Sequence, residues 1–191
     1  MPVVSIAIIA LLLGTAHAED LPPLQAVPQV ELNRYLGKWY EIGRLPNSFQ
    51  RNCDQATAEY SLRVDGEIEV LNTCIKKSDG AKDQALGRAR IDDNVTKAKL
   101  IVSFLPAWLR WTGIGSGKYW IIDLGREYEY AVVSEPSRKY LWILSRTPLL
   151  PPEVTAQILS RLRAFHFDTS LLIPSREGSL NAPPLKAGKT P

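Results

Sequence analysis

A chain of 191 residues, 45% of them hydrophobic, holds enough apolar surface for one domain with a sizeable core. Its 23 basic and 20 acidic residues leave a net charge of +3 with no dense Lys/Arg block, which argues against nucleic acid as a partner and leaves only a mild attraction to anionic membrane surfaces. Neither a P-loop nor a Gly-x-Ser-x-Gly motif occurs, and beyond the N-terminal segment the single histidine is His166, so no cofactor and no metal are expected.

The chain opens on an apolar run, Val3 to Leu13, broken only by Ser5 and followed by Ala16-His17-Ala18. This small-x-small pattern predicts a secretory signal over residues 1–18, although its basic n-region is reduced to the terminal amine. The run is too short to span a bilayer comfortably. A buried N-terminal helix is the rival reading, opposed by the alanine pattern and by Glu19-Asp20. Residues 19–31 carry Pro22, Pro23 and Pro28 and read as an extended leader. The domain is expected over 32–175, and 176–191 read as a C-terminal tail. The only two cysteines are Cys53 and Cys74. In an exported chain an even pair predicts a disulfide rather than two buried thiols.

Short runs separated by turn signals follow at near-regular spacing, the pattern of an all-β barrel or sandwich. Eight strands are predicted: 37–45, 56–63, one from Glu67 to Thr73, 84–91, one from Lys99 to Phe104, 119–123, 130–134 and 140–145. In the second, Ala58, Tyr60 and Leu62 alternate with Thr57, Glu59, Ser61 and Arg63. Asp65-Gly66 marks the hairpin to the third. Every connection suits antiparallel neighbours, and eight strands closed in an up-and-down meander leave room for one small ligand. Outward Glu59, Arg63, Glu67 and Glu69 argue against a membrane-spanning barrel. Pro151-Pro152-Glu153 starts a helix to about Phe165, with Val154, Ile158, Leu162 and Phe165 at helical spacing.

Parity along the strands predicts an interior of Ala58, Tyr60, Val70, Val102, Phe104, Tyr119, Ile121, Val133, Tyr140 and Trp142. That lining suits an acyl chain. A packed core without cavity is the alternative, against which the small residues Ala58, Ala85, Gly87, Ala89 and Ala131 argue. Glu41 follows Trp39 on the inward parity, but a bulge could turn it outward, and no catalytic residue is assigned. Between the fifth and sixth strands, Trp108, Leu109 and Trp111 surround Arg110. With Phe49 they form either a membrane-touching lip or a flap that buries itself over the mouth, and both readings stay open.

The segment Tyr35-Leu36-Gly37-Lys38-Trp39-Tyr40-Glu41-Ile42-Gly43-Arg44 resembles the opening of a bacterial lipocalin, and Tyr140-Leu141-Trp142-Ile143-Leu144-Ser145-Arg146-Thr147-Pro148 resembles its closing strand. The likeness runs from about Leu32 to Ile173 and extends to apolipoprotein D. It implies a barrel shut at one end by Gly37, Trp39 and Arg146, with the guanidinium across the indole. The family's second motif falls on Asp123-Leu124-Gly125-Arg126-Glu127-Tyr128, where Gly125 stands in place of the usual Asp and Asp123 is the candidate substitute. Bacterial lipocalins are often acylated at a Cys after the signal. No Cys lies near Ala18, so an unanchored extracytoplasmic product, in the periplasm and associated with the outer membrane by other means, is expected. The resemblance implies a carrier of fatty acid or lysophospholipid, not an enzyme, with a homodimer left open. The alternatives are an enzyme acting on a lipid-like substrate within the cup and a protein-interaction module built on the loops.

Overall fold

The computed structural model describes residues 21–106 and 115–176. The predicted signal, most of the predicted tail, and Trp108, Leu109 and Trp111 lie outside the described residues. A four-residue helix, α1 (Leu32–Tyr35), leads into eight strands: β1 (Gly37–Arg44), β2 (Cys53–Leu62), β3 (Ile68–Lys76), β4 (Lys82–Ile91), β5 (Lys99–Ser103), β6 (Ser116–Leu124), β7 (Tyr130–Ser134) and β8 (Leu141–Ser145). Each pairs antiparallel with the next, and β1 pairs with both β8 and β2, so the sheet closes into a barrel. The helix α2 (Pro152–Ala164), a 3-10 turn (Thr169–Leu171) and a two-residue strand, β9 (Ile173–Pro174), complete the chain.

β9 was not foreseen. β1 pairs with β2 only from Gly37 to Tyr40, and β9 takes the edge of Gly43 and Arg44 beyond. It thereby covers backbone groups that would otherwise be left open where the two strands diverge.

Strand alternation divides the apolar residues into two cores. Tyr60, Val70, Leu100, Ile121, Val133 and Leu144 meet inside the barrel. Ile122, Val132, Leu141 and Ile143 face outward and are covered by Ile158 and Leu162 of α2. Two bulges serve this division: the register slips between Glu41 and Gly43 in β1 and between Ile121 and Asp123 in β6. Each inserts one residue, Ile42 or Ile122, which joins the outer core, and the strand resumes beyond it with its in–out alternation shifted by one.

Asp123 is the sequence reading that the second bulge overturns. It does not stand in for the closed-end acid. It lies opposite outward-facing Val132 and accepts from Arg161 Nη1 at 2.8 and 3.1 Å, with the Tyr130 hydroxyl beside it. Its role is to hold α2 against the wall.

The leader is part of the fold. Val27 N–H donates to Ile121 O at 2.8 Å, Val30 N–H to Thr96 O at 2.7 Å, and Leu24 and Val30 are buried. Cys53 and Cys74 are bonded, their Cα atoms 5.4 Å apart and 21 residues apart in sequence. Hairpin symmetry places Cys74 opposite Ala56, and a register shift between Cys53 and Gln55 brings the cysteines together. In the chain-entropy account a loop of this size contributes about 3 kcal/mol.

Candidate functional site

The floor of the barrel is built around Trp39, which is completely buried and donates its indole N–H to Tyr35 O at 2.8 Å. The Arg146 guanidinium lies 3.7 Å from the centre of the indole ring. It donates to three main-chain carbonyls: Lys38 O at 2.9 Å, Arg34 O at 2.5 Å and Tyr128 O at 3.4 Å. Gly37 makes this approach with φ of +89°, a conformation that side chains rarely adopt. A desolvated cation over an indole is worth about 2 kcal/mol, and burial lowers the Arg146 pKa from its ordinary value. The three residues foreseen for the closed end are therefore together.

Immediately above lie three tyrosine hydroxyls. Tyr119 OH is 2.7 Å from Tyr35 OH and 2.9 Å from Tyr60 OH. Burial pushes the Tyr60 phenol up to about 12, and Tyr35 and Tyr119 well above the ordinary tyrosine value. All three remain protonated at neutral pH.

The wall above this cluster is apolar. Val70, Ile121 and Val133 are buried, and Ala58, Val102, Tyr119 and Trp142 are half-buried against the same core. Phe104 lies past the end of β5, 43% exposed, with its ring so close over Gly87 that a Cβ there would stand 2.7 Å from it. Tyr140 precedes β8 and stacks on Trp142, with ring centres 6.0 Å apart. Phe49, 62% exposed, packs at 5.6 Å from Tyr140 and 6.1 Å from Trp142. Phe104 and Tyr140 thus belong to the upper rim rather than to the packed interior.

The mouth carries polar chemistry that the sequence reading left unassigned. Glu41 and Arg44 both face inward and are buried, and Arg44 Nη1 donates to Glu41 Oε1 at 2.5 Å. Arg44 Nη2 donates to Gln50 O at 3.0 Å and Cys53 O at 3.1 Å. Gln50 reaches in from the β1–β2 loop: its amide N–H donates to Glu41 Oε2 at 2.7 Å, and its carbonyl accepts from Trp142 Nε1 at 2.8 Å and from Asn47 Nδ2 at 3.0 Å. Simple alternation from Trp39 puts Gly43 inside and Arg44 outside; the bulge at Ile42 reverses them. A glycine directly after the inserted residue is the one sequence signal of it. Tyr35 was missed because α1 precedes the first strand, and Gln50 because it is a loop residue.

A closed eight-stranded meander, plugged at one end by Arg over Trp and carrying an external C-terminal helix, has the architecture of a small-ligand-binding barrel. The family model described as a lipocalin-like domain matches residues 30–177, and the chain belongs to that family. It is 39% identical over 175 residues to the outer membrane lipoprotein Blc of Escherichia coli K12, covering 91% of this chain and 94% of that one. Bovine apolipoprotein D is 37% identical over 146 residues, 72% of this chain and 70% of that protein. Among solved structures, insecticyanin of the tobacco hornworm Manduca sexta superposes with a TM-score of 0.63 at 20% identity, covering 82% of this chain and 85% of that one. Family membership supports binding of a lipid or another small hydrophobic ligand. The relatives' name, outer membrane lipoprotein, runs against the expectation of an unanchored product, and that expectation is not carried forward.

Proposed function

We propose that this protein is an extracytoplasmic carrier of single acyl lipids, fatty acid or lysophospholipid, serving maintenance of the envelope membranes. The observation that carries the reading is the gradient along the barrel axis. A sealed floor and an apolar wall with small residues Ala58, Ala89 and Ala131 suit a chain, and a polar mouth suits a head. The names of the relatives support a location at the outer membrane. Binding is favoured over catalysis because Glu41, which faces inward, has both carboxylate oxygens engaged by Arg44 and Gln50. Phe49, exposed beside Tyr140 and Trp142, gives the rim an apolar point for shallow contact with a bilayer.

The test is titration of the purified chain with a long-chain fatty acid and a lysophospholipid, followed by tryptophan emission. The expected outcome is saturation at one lipid per chain with a change in Trp142 emission, and loss of both in Val102→Trp, which fills the half-buried wall. Absence of saturable binding for every acyl lipid tried overturns the carrier reading.

A further inference from the structure

The tyrosine cluster has one donor too many. Three phenols bring three O–H donors. The two bonds that link them, Tyr35 to Tyr119 and Tyr119 to Tyr60, consume two. Whichever way those bonds run, one proton is left, and none of the three hydroxyls has another acceptor among the described residues. The site is also well buried: Tyr35 is 2% and Tyr60 6% exposed, and both rings sit in the barrel core among Val70, Leu100 and Ile121. A buried donor of this kind is stabilised by whatever acceptor reaches it, and an all-hydrocarbon chain supplies none. The raised pKa values of the three phenols keep that proton in place at neutral pH.

We propose that the cup is built for lipids whose hydrocarbon part carries an oxygen acceptor, a keto, hydroxyl or epoxide group, and that the Tyr35–Tyr119–Tyr60 cluster receives this oxygen near the floor. This rests on the carrier reading and narrows its substrate class to oxygenated acyl lipids. The mouth holds the head, and the floor reads the chain. A plain chain must leave the spare proton unmet, so discrimination arises between ligands of the same length and the same head.

The experiment compares a saturated C18 fatty acid with a series of keto-octadecanoic acids in which the ketone is moved along the chain. Wild type and the variant Tyr35→Phe/Tyr60→Phe/Tyr119→Phe are titrated with each. The triple change removes all three hydroxyls together and leaves no orphaned partner. In wild type, one region of ketone positions is expected to bind about three- to tenfold more tightly than the plain acid, the range of a net hydrogen bond. In the variant that preference, read as the ratio of ketone to plain-acid affinity, is expected to vanish. A second measurement does not depend on the variant folding: the infrared carbonyl stretch of the bound, isotope-labelled ketone in wild type is expected at lower frequency than in hydrocarbon solvent. Saturable binding of the plain acid with no ketone position preferred, or an unshifted carbonyl band at every position, overturns this inference and leaves the carrier reading intact. Absence of saturable binding by every acid overturns both.

Discussion

The two ends of the barrel are closed by different kinds of contact. At the floor, each donating nitrogen of Arg146 goes to a main-chain carbonyl, and Trp39 likewise donates to Tyr35 O. At the mouth, Arg44 also reaches the main-chain carbonyls of Gln50 and Cys53, but the side chain of Gln50 bonds only to side chains, those of Glu41, Asn47 and Trp142. Main-chain acceptors move only when the barrel itself deforms, whereas side-chain partners exchange by rotamer changes. The floor is therefore held as a plug by the main chain, whereas the Gln50 contacts at the mouth can exchange by side-chain rotation. On the proposed carrier reading, a cup that loads and unloads through one end needs this asymmetry.

The comparison breaks most readily at the floor. Trp39→Ala should cost about 3–5 kcal/mol in urea unfolding, as truncation of a fully buried aromatic. Arg146→Ala should cost less, and the two changes should couple by more than about 0.5 kcal/mol in a double-mutant cycle. Strict additivity would mean that the stacking of guanidinium on indole contributes nothing.

Arg44→Met tests the mouth at similar scale. It leaves buried Glu41 without its cation and should cost about 3–5 kcal/mol, whereas Glu41→Leu/Arg44→Met should recover most of that loss. If the double variant is no better than the single, the ion pair is not the source of the penalty.

Alkaline pH separates the floor by titration. Its tyrosines have folded pKa values above their unfolded value of 10, so the neutral phenol is the form that the fold favours. Their contribution is fully present below pH 10. It is lost as pH rises through the folded values, about 12 for Tyr60, at about 1.4 kcal/mol per pH unit for each phenol that titrates first in the unfolded chain. Tyr130, outside the barrel and also pushed up to about 12, adds to the same loss. Denaturation curves from pH 8 to 12 should be flat and then fall, less steeply in the triple Phe variant. An unchanged slope there would place the alkaline transition elsewhere.

Gln50→Ala should produce the smallest change in stability, about 1 kcal/mol, because Glu41 keeps its bond to Arg44 and Asn47 and Trp142 are only half-buried. It should shift Trp142 emission and speed lipid exchange in stopped-flow measurements. An unchanged exchange rate would deny Gln50 its part in entry.

The degree to which these features could be read from sequence follows the same division. Trp39 and Arg146 stand in runs distinctive enough to mark their partnership across a hundred residues, and the eight strands alternate clearly enough to place Tyr60, Val70 and Val133 inside. Alternation carries phase only as far as the next bulge. Beyond the slip at Ile42 parity no longer tells which side Arg44 takes, and Asp123, directly after the slip at Ile122, faces outward instead of serving the closed end. Ile42 is drawn out of phase by the apolar face of α2, a partner more than a hundred residues away that local pattern does not contain. Gln50 enters the mouth from a loop, where no periodicity exists to be read.

The leader also fixes a direction. Arg138, in the loop between β7 and β8 at the mouth, donates to Pro22 O at 2.6 Å, and from there the chain runs past Leu24, beneath α2, to Val30 at the floor. The polypeptide thus enters the domain beside the opening and descends the outside of the wall before the first strand climbs back. A tether carried upstream of Leu21 would pull from the rim, like a bucket hung by its lip, and would turn the opening toward the surface that holds it. The same tether leading straight into β1 would pull from the plug and point the opening away.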